Sequence, residues 1–265
     1  PIPETNYAMK AAFVKRKNAV SIKEIPTPTP QRAEVLLKID ACGVCGSDFI
    51  EAKVWARRWK RFGHEIVATV DTLGEKVTGF DIGDQVVVAL SVPCGTCPAC
   101  RLGNPRKCHT LIAQEQGGFA EYLLIKDKRI LQKVDPPLPV ELACFAEPLT
   151  VILDAFHLAG LDQKDHFLVV GGGFLGKLSL LATKAFGTKT TGLLSRQAGP
   201  EIIKYLKETG SEHYAWHTIA GKTFAAPGKL RRALSRLSER VVVLNTAPAR
   251  YIKHYIDLLP YDSTI

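Results

Sequence analysis

The 265 residues are 46% hydrophobic and 23% charged, which describes a globular chain and excludes a disordered or fibrous one. No apolar run reaches the length needed to span a bilayer, and the start, PIPETNYAMK, has no apolar signal core, so neither a membrane anchor nor secretion is expected. The formal net charge of +9 comes from scattered basic residues with one short cluster, RRWKR at 57–61, which suits a solvated surface or an anionic substrate or cofactor better than nucleic acid.

Residues 9–40 alternate apolar and polar positions. MKAAFV, AVSIKEI and EVLLKIDAC read as strands, and PTPTPQ at 26–31 is a rigid extended connection that cannot sit inside a sheet. Further strand-like runs follow in HEIVATVDTLG, GDQVVVAL, FAEYLLI and RILQKV. The first half is therefore all-β, and a partly closed barrel is expected.

Within it lies ACGVCGSDF at 41–49, and 19 residues after Cys45 comes GHE, with His64 and Glu65. A cysteine and a histidine from separate strands can share a metal. They can equally be a buried thiol and a hydrogen-bonded core histidine, and the spacing alone leaves both open. Cys42 reads as a small core residue.

Next comes PCGTCPACRLGNPRKC, in which Cys94, Cys97, Cys100 and Cys108 fall within 15 residues as C-x2-C-x2-C-x7-C. Four thiolates so spaced can close around one tetrahedral Zn2+ and leave no open position. Pro93, Gly95, Pro98, Gly103 and Pro105 make the segment a turn-rich lobe, which is read as a loop rather than a helix or strand. Its apolar content is too small for a core, so metal binding energy would be folding energy. An iron–sulfur run would place its fourth cysteine after three residues and follow it with proline; here the gap is seven and His109 follows. Seven cysteines are an odd number for a disulfide framework, and a reduced cytoplasmic setting is expected.

The composition changes near residue 145. FAEPLTVILDAFHLAG, 145–160, has helical apolar spacing and ends at Gly160, a C-cap candidate. HFLVVGGGFLGKLSLLATKAFG then passes from a β-branched run through a glycine turn into a helix, and Gly171, Gly173 and Gly176 satisfy G-x-G-x-x-G. The first glycine permits the turn, the second admits a pyrophosphate, and the third lets helix and strand pack closely. The helix N-terminus adds free N–H groups to the anion. The second strand, TKTTGLLSR, ends at Ser195 and Arg196, where a carboxylate would bind a ribose 2′-hydroxyl. A hydroxyl followed by arginine suits a 2′-phosphate, which favours NADP over NAD. PEIIKYLKETG and KLRRALSRLSER read as helices, HYAW and RVVVLN as strands, and APARYIKHYIDLL as a last helix before the chain stops.

These segments, in this order and approximate spacing, resemble the zinc-containing medium-chain dehydrogenase/reductase family of alcohol and polyol dehydrogenases. The resemblance rests on ACGVCGSD, GHE, GDQVVV, the four-cysteine lobe, GGFAEY, AEPL and VVGGGFLG, and covers nearly the whole chain. It implies that Cys45 and His64 are catalytic zinc ligands, with Glu147 of AEPL at the third position and Glu65 a ligand in some members. Cys144 is a weaker rival. Ser47 matches the hydroxyl that passes on the substrate proton, and Asp48 matches a carboxylate behind the zinc. The coenzyme would lie against Gly171, Gly172, Gly173, Phe174, Leu175 and Gly176, with Ser195 and Arg196 at the ribose.

Two departures stand out. Many members carry a histidine shortly after the serine, ending the proton route; here Ile50 stands there, so the proton must leave another way, through water or Glu51. The chain also stops after IDLLPYDSTI, where a fifth coenzyme-domain strand would begin, so the remaining strands are expected to be missing.

The expectation is an α/β protein. Residues 1–152 form a GroES-like, partly closed β-barrel with the structural zinc lobe at 93–109, and residues 153–265 form an incomplete Rossmann-type parallel α/β domain. The resemblance implies two zinc ions per chain and a zinc-dependent hydride transfer between a nicotinamide cofactor, NADP favoured and NAD allowed, and a secondary alcohol or ketone of a polyol, sugar or cyclitol. The alternative is a catalytically silent zinc- and nucleotide-binding relative or a truncated fragment. The partners expected are a small-molecule substrate and, at full length, further copies of the chain, with no nucleic acid and no membrane.

Overall fold

The computed structural model describes residues 7–114, 117–196, 198–219, 222–225, 227–247, 259 and 263. The chain divides into two compact units, Pro1–Glu147 and Pro148–Ile265, near the change of composition at residue 145 and a few residues before the expected domain boundary at 152/153.

The first unit is built on strands β1 (Ala8–Lys15), β2 (Ala19–Pro26), β3 (Val35–Gly43), β4 (Lys60–Arg61), β5 (Glu65–Leu73), β6 (Gln85–Val88), β7 (Ser91–Val92), β8 (Ile112–Ala113), β9 (Tyr122–Ile125) and β10 (Leu131–Lys133). An antiparallel five-stranded sheet has the order β10-β6-β5-β3-β9, and a three-stranded sheet the order β2-β1-β4. The two meet where Ala11 bridges Ala120 and the Ala12 N–H donates to the Phe119 carbonyl at 2.8 Å, which closes the barrel part of the way. Its core takes the inward residues of the larger sheet, among them Val35, Leu37, Ile66, Ala68, Val86, Leu123 and Ile125. Each large aliphatic side chain buried there contributes roughly 1.5–3 kcal/mol.

Two stretches of this unit contain short helices that the sequence did not announce. Residues after Cys45 form α1 (Gly46–Ile50), which runs directly into a π-helical turn, Glu51–Trp55. The cysteine lobe, expected as loop, holds α2 (Pro98–Arg101) and a 3-10 turn, Pro105–Lys107, between the paired strands β7 and β8. Both turns start at a proline, whose fixed φ suits the first helical position and whose missing N–H costs nothing there. α3 (Val140–Ala143) and α4 (Ala146–Leu158) follow.

The second unit carries β11 (His166–Val170), α5 (Phe174–Phe186), β12 (Lys189–Ser195), α6 (Pro200–Glu208), β13 (Glu212–Ile219), β14 (Lys222–Ala225), α7 (Pro227–Leu234) and β15 (Val241–Asn245). The sheet order is β14-β13-β12-β11-β15, parallel from β13 to β15, with β14 as an antiparallel addition that the sequence reading did not contain. Alternate strand residues feed two cores. Leu168, Val170, Leu194 and Tyr214 serve one, and Phe167, Val169, Leu193 and Val242 the other. Burial on both faces explains the unbroken β-branched and aliphatic runs. α7 stops at Leu234, short of the helix expected through residue 240, and the helix expected over 247–259 lies almost wholly outside the described residues. No helix among the described residues is long and apolar enough to cross a membrane.

Candidate metal and coenzyme sites

In the lobe the four cysteine sulfurs converge. Cys94 and Cys108 are 3.5 Å apart, Cys97 and Cys108 3.9 Å, and Cys94 and Cys100 4.0 Å. A tetrahedral zinc with Zn–S bonds of 2.3 Å sets its sulfurs about 3.8 Å apart, so the donor set fits that ion. The site is also primed for negative charge. Hydrogen bonds from the Thr110 hydroxyl, then from Thr96 and the Cys97 backbone, hold the Cys94 thiol down at about 5. Burial pushes Cys100 the other way, to about 12. Arg129 ties the lobe to the barrel: its Nη1 donates to the Cys94 carbonyl at 3.2 Å while Asp127 grips the rest of the guanidinium.

The second cluster is assembled by strand register. β3 and β5 pair Gly43 with Glu65, so the chain leaving β3 sets Cys45 beside the start of β5, which His64 precedes. Cys45 caps α1 through a reciprocal pair: the Asp48 N–H donates to the Cys45 carbonyl at 3.1 Å, and Asp48 Oδ2 accepts from the Cys45 N–H at 2.9 Å. A Cβ at Gly43 would press on the Glu65 side chain, and one at Gly63, held at φ +88°, would meet Phe119 and Cys42 Sγ, so Gly63 needs glycine.

The result is that donor atoms of Cys45, His64 and Glu65 lie within 4.8 Å of one another. Sulfur, imidazole and carboxylate are a zinc donor set with a fourth position left over. His64 Nδ1 and Asp48 Oδ1 are both buried without a hydrogen-bond partner, 4.0 Å apart. Burial raises the Glu65 carboxyl above the usual carboxylate range, opposed by the Cys45 thiol and His64. Glu147 is not within that three-residue group. It is half-buried, raised by burial, and feels both His64 and Glu65. Cys144 also stands outside the group, its Sγ 3.9 Å from the Glu65 carbonyl, and burial raises its thiol. Cys42 packs against the barrel core, and burial pushes its thiol up to about 12. Ser47 lies half-buried in the first turn of α1, two residues beyond Cys45.

In the second unit the glycine turn follows β11, which lies between β12 and β15, where the strand order reverses. Ligands of such sheets bind beyond the strand ends at that switch. Gly171 takes φ +110°, and a Cβ on Gly176 would strike the Gly171 carbonyl, so strand and helix touch backbone to backbone. Gly173 caps α5, and nothing lies within 4 Å of where its Cβ would be, an open cradle beside Gly172. The first-turn N–H groups, including those of Phe174, Leu175 and Gly176, have no acceptor within the helix. Cradle and donors fit a pyrophosphate.

Ser195 and Arg196 part company at the end of β12. Arg196 is exposed, whereas Ser195 is 2% exposed and its Oγ lies 3.0 Å from His213 Nε2. The sequence reading did not single out His213. Parallel register, which sets His213 opposite Leu193, brings it there, and burial holds its ring below the ordinary histidine range.

Comparisons with known proteins bear on these sites. The family model for the alcohol dehydrogenase GroES-like domain matches residues 31–135. Galactitol 1-phosphate 5-dehydrogenase of Escherichia coli K12 is 31% identical over 245 residues, 90% of this chain and 68% of that one. Acryloyl-coenzyme A reductase of Sulfurisphaera tokodaii is 31% identical over 231 residues, 83% of this chain and 66% of that one. The crystal structure of galactitol-1-phosphate dehydrogenase from Escherichia coli superposes with a TM-score of 0.81 at 25% identity, covering 95% of this chain and 72% of that one. The chain thus spans about two thirds of the length of the curated relatives it matches. Barrel, glycine turn and both cysteine-bearing segments fall inside the aligned span, and by that shared sequence and fold the protein belongs to the zinc-containing medium-chain dehydrogenase/reductase family.

Proposed function

We propose that the protein transfers a hydride between a nicotinamide coenzyme and a secondary alcohol or ketone of a polyol, sugar or cyclitol. The observation that carries this reading is the cluster of Cys45, His64 and Glu65, backed by the buried Asp48 carboxylate. A zinc ion held there, with Glu147 close enough to feel His64, would act as a Lewis acid that favours the alkoxide of a bound alcohol. The cysteine lobe would hold a second, structural ion. A nicotinamide coenzyme would accept the hydride.

The chain's own residues would do the rest. Asp48 orients the His64 ring and fixes the Cys45 backbone. Ser47 takes the hydroxyl proton of the substrate. Gly171 to Gly176 seat the pyrophosphate, and Arg196 is the cation offered to a ribose 2′-phosphate. NADP is therefore favoured. Ser195, beside Arg196 at the end of the strand, is turned under towards His213. Residues 1–152 would form the catalytic part and 153–265 the coenzyme part. The polyol-phosphate relative at 31% identity supports a polyhydroxylated substrate.

The test is a panel of polyols, sugar phosphates and simple alcohols assayed with NADP and with NAD, alongside Arg196→Ala. Turnover of a polyol with NADP, reversed towards NAD in the variant, is expected. Equal use of both coenzymes would remove the Arg196 argument, and no turnover across the panel with zinc bound would favour a silent family member.

A further inference from the structure

Ile50 stands where the family resemblance places the outward proton acceptor, and it is 43% exposed with no group that takes a proton. One residue on, Glu51 is held quite differently. α1 passes without a break into the π-helical turn, and the Glu51 N–H is shared between the Asp48 and Ser47 carbonyls. Ser47 and Glu51 are thus stacked one turn apart on one helix face, with Cβ atoms about 5–6 Å apart. Single π-turns of this kind are frequent at functional sites.

The Glu51 side chain is 13% exposed, and its Oε1 accepts from Lys60 Nζ, on β4, at 3.1 Å. Its other oxygen, Oε2, is buried and has no hydrogen-bond partner. A buried carboxylate oxygen left in that state costs free energy, and a bound water satisfies it. The carboxylate is anchored at one oxygen and unsatisfied at the other.

We propose that Glu51 is the proton acceptor at the end of the route that begins at Ser47, with Lys60 holding the carboxylate in place. This rests on the dehydrogenase reading above. In oxidation the substrate O–H bond breaks as its proton passes to Ser47 Oγ. The proton of Ser47 crosses one water to Glu51 Oε2, and the carboxylate becomes a carboxylic acid. No electrons are exchanged in this step. The hydride leaves separately, with its electron pair, from the carbinol carbon to the nicotinamide. Glu51 thus does from the next position what Ile50 cannot.

The experiment uses a tertiary alcohol, which can lose its hydroxyl proton but has no carbinol hydrogen to give. Proton release on its binding to the zinc- and coenzyme-loaded protein is followed by stopped flow with an indicator dye. Glu51→Gln is expected to slow release at least tenfold, and added imidazole to restore it, with zinc content and coenzyme affinity unchanged. Glu51→Asp keeps the charge opposite Lys60, and with it the fold, but draws the carboxylate back by one methylene. It is expected to slow release several-fold, again restored by imidazole. Release at the wild-type rate in both variants, or slow release that imidazole does not restore, would overturn the proposal while leaving the dehydrogenase reading intact. No proton release and no alcohol turnover in the unmutated, zinc-loaded protein would overturn both.

Discussion

Nδ1 of His64 lies 4.0 Å from Oδ1 of Asp48, and both atoms are buried without a hydrogen-bond partner. The other oxygen of Asp48 is already committed to the Cys45 N–H at 2.9 Å. One carboxylate therefore holds the backbone under Cys45 and faces the ring of His64. Asp48→Asn keeps the shape and removes the charge. Zinc affinity at this cluster is expected to fall about 10–100-fold, measured by chelator competition, with the cysteine lobe unaffected.

The two clusters share no residue, so they should empty independently. Elemental analysis is expected to find two zinc ions per chain, one in Cys45→Ala and one in Cys97→Ser. Only the second variant should loosen the lobe, because there the metal replaces a core. Proteolysis within 93–109 after chelation is the direct readout. One zinc in both the wild type and Cys45→Ala would leave the lobe as the sole metal site.

Gly173 and Gly176 are expected to behave differently. A methyl at Gly173 meets nothing, so Gly173→Ala should leave stability within about 0.5 kcal/mol while weakening coenzyme binding, since it fills the cradle. A methyl at Gly176 strikes the Gly171 carbonyl, so Gly176→Ala should cost about 1–3 kcal/mol and lose coenzyme as well. Denaturant melts and coenzyme titration together separate the two.

Arg240 holds three pieces of the second unit together. It donates to the Ala159 carbonyl at 3.0 Å and the Gly160 carbonyl at 2.7 Å, and pairs with Asp165 through Nε at 3.1 Å. Hydrogen bonding to Arg240 holds the Asp165 carboxyl below the usual carboxylate range. Its folded value thus lies under the unfolded one of about 3.9, so this stabilisation is complete above about pH 4 and is lost as pH falls through the folded value. Arg240→Met should cost roughly 1.5–3 kcal/mol at pH 7 and flatten the acid limb of stability against pH.

Within single segments, residue type and spacing carried much of the information. Cys94 to Cys108 are close in sequence, so four sulfurs on one short turn-rich piece needed no distant partner to announce a metal lobe. Gly171, Gly173 and Gly176 announced a strand–turn–helix in the same way, and two-sided burial of β11 was written in its apolar run. The alternation of β3, β5 and β9 predicted a barrel.

What no spacing contains is how segments meet. That the Glu65 carboxylate lies beside Cys45 and His64 follows from the pairing of Gly43 with Glu65 across β3 and β5. That His213 meets the Ser195 hydroxyl follows from parallel register, and that Glu51 faces Lys60 follows from a π-turn packed against β1, which pairs with β4. Local pattern is set by each residue's own chemistry and neighbours along the chain. Register and packing are set by free energy summed over many weak contacts between distant segments, and those contacts exist only once the chain has folded.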